Sequence, residues 1–354
     1  MIDSSVSKRI SMLRTVLILF VVLLHIGTPA IGKLDTSDTF QLVMFFLQDE
    51  LSRFAVPTLT MISGYLLFAT GLHMKPRSLY KKKARTLLGP FFFFNIVYFA
   101  VQYATEYFTG WAPLHVLVNQ PAAVHVNFVF NYAGFPLNAP LHFLRDLIVL
   151  TVLAPVFGYF MKNRPLLGLM LVTGFFMSNM DGHLVNRNTM AVLFYVGGLA
   201  ASRHWNVKRF DHLAIPALGL LLTACAAMMY FHIENHVYLY LVAPFTVWPA
   251  ASLLMNTKPG YWAAKYSKYS FFLFLIHMPM IHAVEYVFAN YGLGKLAGQS
   301  IVWTFLFIVA VVPVIHRAAM YLMPQAFSFM TGGRASKERS AGMRQPAGVA
   351  LANG

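Results

Sequence analysis

Apolar residues come in long runs along this chain, separated by short polar loops. About ten runs are long enough to cross a bilayer as helices. They lie near 13–31, 53–71, 87–108, 141–161, 165–180, 189–203, 212–232, 237–255, 269–289 and 300–322. The fifth and sixth are short. The pattern predicts an all-α polytopic membrane protein, since a helix in lipid satisfies its own backbone polar groups. No internal repeat or separate soluble domain stands out. Residues 1–330 read as one integral membrane unit, and 331–354, rich in Gly, Ser, Ala and Arg, as a disordered tail. The first run does not read as a signal peptide. It lacks a clear small-x-small cleavage site, and Arg14 and His25 lie inside it.

Composition agrees with that class. The chain of 354 residues is 58% hydrophobic and only 11% charged. Soluble domains carry roughly 25% charged residues, so this chain cannot coat a water-soluble surface. Its hydrophobicity rules out disorder as a whole. A disulfide scaffold is excluded because Cys225 is the single cysteine. Net charge is +15, which in a soluble protein would suggest nucleic acid. Here the bases cluster between apolar runs, so the first reading is topological, and anionic lipid or an anionic ligand comes next.

The loops alternate in charge. Lys8, Arg9 and Arg14 precede or open the first run, and Asp35, Asp38, Asp49 and Glu50 crowd the next loop. Lys75, Arg77, Lys81, Lys82, Lys83 and Arg85 follow, whereas 109–140 has no Lys or Arg. The alternation continues to the C-terminus. An even number of spans with both termini in the cytoplasm satisfies the positive-inside rule throughout.

Charges inside spans are costly and are functional candidates by default. Arg14 and His25 are eleven residues apart, three turns plus about 20°, so they share one face of a helix. A snorkelling Arg with a core His and a functional pair both fit that geometry. Ser63-Gly64, after Pro57, reads from the residues alone as small-residue helix packing. The run Lys81-Lys82-Lys83…Arg85 serves topology, or binds phosphates. Asp49, Glu50 and Arg53 are either solvated or bind a polar substrate. Arg145 and Asp146 diverge by about 100° on a helix, so a partner elsewhere or a polar ligand is expected. His277, His282 and Glu285 lie in the ninth run, and the two histidines are five apart, poor spacing for a metal on one helical face. No metal is expected, and there is no P-loop or Ser-His-Asp signature.

Several of these segments together resemble the acyltransferase-3 family of integral membrane O-acyltransferases. The match is carried by Arg14 and His25, Phe54-Ala55-Val56-Pro57, Ser63-Gly64-Tyr65-Leu66, and the basic run ending in Arg85 before Pro90. Leu141 to Leu147 and Phe274-Leu275-Ile276-His277 follow in order, so the resemblance spans about 8–320. Two positions depart from the family pattern. Thr58-Leu59-Thr60 follows the proline where members often have aromatics, and His142 stands where many have Trp. Such positions would tune acceptor or acyl preference.

The resemblance implies a multi-pass protein of the bacterial inner membrane. It implies transfer of an acetyl or succinyl group from acyl-CoA to a sugar hydroxyl of a cell-surface or exported polysaccharide, or of its lipid-linked precursor. No bound cofactor is implied; acetyl-CoA or succinyl-CoA is a substrate. His25 is the expected general base, with Arg14 positioning the donor or polarising its carbonyl. Lys82, Lys83, Arg85, Ser63, Gly64, Tyr65 and His277 are expected on the donor side, and Asp49, Glu50, Arg53, Arg145 and Asp146 on the acceptor side. A transporter or flippase for a polar solute is the competing class, though it often shows two related halves.

Overall fold

The computed structural model describes residues 2–27, 37–113, 115–132, 136–180, 185, 189–291 and 297–334. Among them there is no strand. The helices are α1 (Ser4–His25), α2 (Thr39–Phe45), α3 (Ala55–Ala69), α4 (Pro76–Lys83), α5 (Gly89–Thr109), α6 (Ala122–Phe130) and α7 (His142–Asn163). They continue with α8 (Pro165–Met177), α9 (Thr189–Ser202), α10 (Ala214–Tyr230), α11 (Val237–Ala250), α12 (Lys258–Asn290), α13 (Ala297–Leu322) and α14 (Pro324–Met330). Local chemistry sets several starts. The Asp3 carboxylate accepts the Ser5 N–H at 2.7 Å and caps α1. Prolines open α4, α8 and α14, where a missing N–H costs no helical bond.

Among the described residues, seven helical segments are long and apolar enough to cross a membrane. They coincide with seven of the ten runs. α1 is long enough, but every 18-residue stretch of it holds Lys8, Arg9 and Arg14. α8 and α9, the fifth and sixth runs, are only 13 and 14 residues long. Two segments reach further than the apolar pattern indicates. Helix continues from Thr39 to Ala69 through a π-helical turn at Phe46–Glu50, and from Pro76 to Thr109 through another at Ala84–Leu88. The basic loop expected at 72–86 is therefore mostly helical, because Pro76 starts a helix that the lysines, good helix formers, do not break.

α3 packs along α9 at close range. A Cβ on Gly64 would collide with the Phe194 carbonyl, and one on Gly197 with the Met61 carbonyl. Backbone meets backbone there, as expected for helices that gain nothing from hydrophobicity in lipid. α1 lies along α12, and the Thr15 hydroxyl donates to the Ala263 carbonyl at 2.7 Å. The Arg9 guanidinium grips Asp211 with two bonds of 2.7 and 2.6 Å and lies 5.1 Å from the Trp248 ring centre.

Asp211 is partly exposed, so Arg9→Ala is expected to cost roughly 3 kcal/mol, the low end for a buried pair losing one partner. Thermal unfolding in detergent measures it, and an unchanged midpoint would show that the pair adds no stability.

The expected tail begins inside the described chain. Gly332, Gly333 and Arg334 pack against Arg85 and Thr86, while 335–354 lie outside the described residues. The basic segments meet at one end of the bundle. There Lys208 bonds Asp3 at 2.8 Å, Arg9 holds Asp211, and Arg334 reaches the Thr86 carbonyl at 2.9 Å.

Candidate active site

At this basic end lies a cavity of about 980 Å³. Arg14, Lys81, Lys82, Lys83, Arg85, Lys268 and Arg334 line it, with no acidic residue among the described lining residues. Its deeper wall is apolar and includes Leu59, Phe143, Leu144 and Phe274, with the Ser63 side chain among them. Seven cations facing one space without a counter-charge suit a polyanion. An apolar floor below them suits a less polar extension of the same ligand.

Of the expected donor-side residues, Lys82, Lys83, Arg85 and Ser63 line this cavity together with Arg14. The Ser63 hydroxyl donates to the Leu59 carbonyl at 2.7 Å. Gly64 is spent on the α3–α9 crossing. Tyr65 faces a second cavity of about 810 Å³, a nearly apolar one walled by Trp205, Phe245 and Trp248 among others. Two residues on a helix turn the side chain by about 200°, so Ser63 and Tyr65 point opposite ways. Lys268 and Arg334 were not legible as cavity residues. Lys268 lies just before the ninth apolar run, and Arg334 in the expected tail.

His25 ends α1, about two turns beyond Ile18 at the cavity wall and about 16 Å from Arg14 along the axis at 1.5 Å per residue. Its Nδ1 lies 2.7 Å from the Val21 carbonyl. A carbonyl only accepts, so the hydrogen is assigned to Nδ1 and Nε2 is the basic nitrogen of the neutral ring. The His277 ring meets His25 edge to face, with centroids 5.3 Å apart. His277 is fully buried and pinned the same way, its Nδ1 at 2.9 Å from the Phe274 carbonyl. Its Nε2 has no hydrogen-bond partner among the described residues. His277 thus neighbours His25 rather than the basic cavity. Ring contacts link the two regions: Phe143 to Phe274 at 5.8 Å, Phe274 to His277 at 6.1 Å, and His277 to His25.

On the far side of His25, the π-helical turn at Phe46–Glu50 holds the acidic residues. Gln48 donates to the Leu23 and Ile26 carbonyls at 3.1 and 2.9 Å and so anchors the end of α1 beside His25. Asp49 pairs with Arg53 at 2.6 Å. Buried Glu50 meets His236 Nε2 at 2.8 Å, while His236 Nδ1 faces the Glu234 carbonyl. Arg145 does bond its neighbour Asp146, at 3.0 Å, despite the angle between them. A long guanidinium arm spans what adjacent Cβ directions alone do not. Ligand atoms of Asp49, Glu50 and His236 lie within 4.8 Å of one another, close enough to share a metal ion. In the structure they are engaged with each other and with Arg53.

The two departures from the family pattern are buried. The Thr58 and Thr60 hydroxyls donate to the Phe54 and Val56 carbonyls of their own helix, both at 2.8 Å. His142 sets Nδ1 2.8 Å from the Ala139 carbonyl. Neither threonine lines the basic cavity. A polar stripe on α5 escaped the sequence reading as well. Buried Asn95, Tyr98 and Gln102 face inward at helical spacing, and Tyr98 bonds His282. The signal was the three- and four-residue spacing of polar groups within an apolar run.

Comparison with known proteins adds independent weight. A family model described as an acyltransferase domain matches residues 7–315. Over 357 aligned residues the chain is 27% identical to the succinoglycan biosynthesis protein ExoH of Rhizobium meliloti (strain 1021), covering 96% of this chain and 95% of that protein. No solved structure matches.

Proposed function

The chain belongs to the acyltransferase-3 family, and from that premise we propose that it moves an acetyl or succinyl group from acyl-CoA to a sugar hydroxyl of an exported polysaccharide. The basic cavity carries this reading. It offers seven cations for the donor's phosphates and an apolar floor for its pantetheine arm, and one of the cations, Arg14, stands on the helix that bears His25. The likeness to a succinoglycan biosynthesis protein supports the polysaccharide acceptor. In this reading the chain spans the bacterial inner membrane ten times, α1, α8 and α9 included. The basic end faces the cytoplasm, where acyl-CoA is found, and the end with Asp49, Glu50 and His236 faces outward.

The donor's phosphates rest among Lys82, Lys83 and Arg85. Its thioester passes the ring contacts of Phe143 and Phe274 to reach His25. There Nε2 takes the proton of the sugar hydroxyl as that oxygen attacks the thioester carbonyl. The tetrahedral intermediate collapses by breaking the C–S bond, and the leaving thiolate takes the proton back from His25. Asp49, Arg53, Arg145 and Asp146 hold the acceptor by exchanging their mutual pairs for sugar hydroxyls. Arg14 steers the donor from the mouth of the cavity.

The test is purified protein in lipid nanodiscs with acetyl-CoA or succinyl-CoA and the host polysaccharide. Free CoA and a new ester should appear together. Absence of both with either donor, in protein that instead moves a solute across vesicles, would make this a transporter. The double variant Lys82→Ala/Arg85→Ala is expected to raise the donor KM at least about tenfold, since charge-assisted bonds to phosphate are among the stronger ones. An unchanged KM would remove the phosphates from this cavity.

A further inference from the structure

One cation of the cavity comes from the far end of the described chain. α14 starts on Pro324 and stops at Gly332 and Gly333, both with positive φ, of 68° and 80°. Glycine takes that conformation freely, and such a turn closes a helix. The Gly333 N–H donates back to the Ser328 carbonyl at 2.6 Å. Gly332 sits against the chain at Arg85. A Cβ there would come within 2.7 Å of Thr86 Cα and 2.9 Å of the Arg85 carbonyl. The turn is therefore required twice, by its own φ and by the close approach.

What the turn delivers is Arg334. Its Nη1 donates to the Thr86 carbonyl at 2.9 Å and to the Thr331 carbonyl at 3.0 Å, and the guanidinium lies 3.5 Å from the Phe271 ring centre. Both of these bonds use Nη1, so Nη2 and Nε are not needed for them, and Arg334 lines the cavity. Burial, and then Arg14 nearby, push its pKa down to about 10, so it is still charged at neutral pH. A cation held at a cost among other cations is positioned for an anion.

We propose that Gly332, Gly333 and Arg334 form a C-terminal clamp on the donor, in which Arg334 binds a phosphate of the acyl-CoA opposite Lys82 and Arg85. The inference rests on the donor reading above and adds a binding element from a segment that the sequence places in a tail. Arg334 grips the phosphate through two parallel N–H bonds, and the glycine turn fixes where the fork points.

The experiment measures CoA binding calorimetrically with the full chain in nanodiscs, alongside donor KM and kcat. The variants are Arg334→Gln, Arg334→Lys and Gly332→Ala. Glutamine can keep the bond to Thr86 but loses the charge. Arg334→Gln should weaken CoA binding and raise donor KM about ten- to a hundredfold, with kcat at saturating donor close to wild type. Arg334→Lys should recover part of the loss. Gly332→Ala should reproduce it without touching the charge. If Arg334→Gln binds CoA as wild type does, the clamp is wrong and the donor reading stands. If the wild type itself neither binds CoA nor consumes acyl-CoA, the donor reading fails and takes the clamp with it. Unfolding midpoints without ligand guard against damaged protein. Should Arg334→Gln not fold, the Arg334→Lys variant decides, because an unshifted KM there would mean the fork geometry is not used.

Discussion

Replacing His25 by alanine is expected to lower acyl transfer by about 10²- to 10⁴-fold, the usual contribution of a positioned general base. Donor binding should survive, because His25 does not line the basic cavity. Two structural facts make the ring suited to the task. Its Nδ1 is committed to the Val21 carbonyl, which fixes the tautomer and leaves Nε2 basic. Gln48 holds the last turn of α1 through two carbonyls, which fixes where that nitrogen sits. Transfer measured in nanodiscs, with CoA affinity in parallel, separates the two contributions. Activity within threefold of wild type would remove His25 from the chemistry. Lost CoA affinity with an intact maximal rate would make it a binding residue instead.

The second large effect is expected far from the chemistry, where α3 crosses α9. Gly64→Ala and Gly197→Ala each place a methyl group against the other helix's backbone carbonyl. A carbonyl cannot swing aside as a side chain can, so the helices must separate. Overpacking of this kind costs about 1–3 kcal/mol, occasionally more. In lipid, little else drives the pair together. Both variants should show lower unfolding midpoints in detergent, and the double variant less than the sum, since both methyls open the same crossing. Ser63, beside Gly64, would move with α3, so donor KM should rise as well. Midpoints equal to wild type would show that the crossing has slack the structure does not reveal.

Much of this architecture is written locally in the chain. Apolar runs locate the seven long spans because lipid leaves few alternatives. The eleven-residue spacing of Arg14 and His25 places both on one face of α1. Long-range pairings are another matter. Glu50 finds His236 across 186 residues and Arg9 finds Asp211 across 202. No local period encodes such meetings. Tyr65 shows the opposite error, since the helical angle from Ser63 was available and excludes a shared face. Arg334 was hidden by composition. Gly-Gly reads as a loose tail unless Pro324 and the intervening apolar turn are seen as a short helix with its stop signal.

The basic cavity is walled by residues from Arg14 to Arg334, nearly the two ends of the described chain. During synthesis α1 is made long before Arg334 leaves the ribosome. Until α14 folds back and its glycine turn docks beside Thr86, the cavity lacks a wall. A nascent chain stalled before that point holds His25 and Lys82 but no complete basic cavity. Nonsense or frameshift changes that remove the chain from Pro324 onward would therefore leave every long apolar helix in place but the basic cavity incomplete.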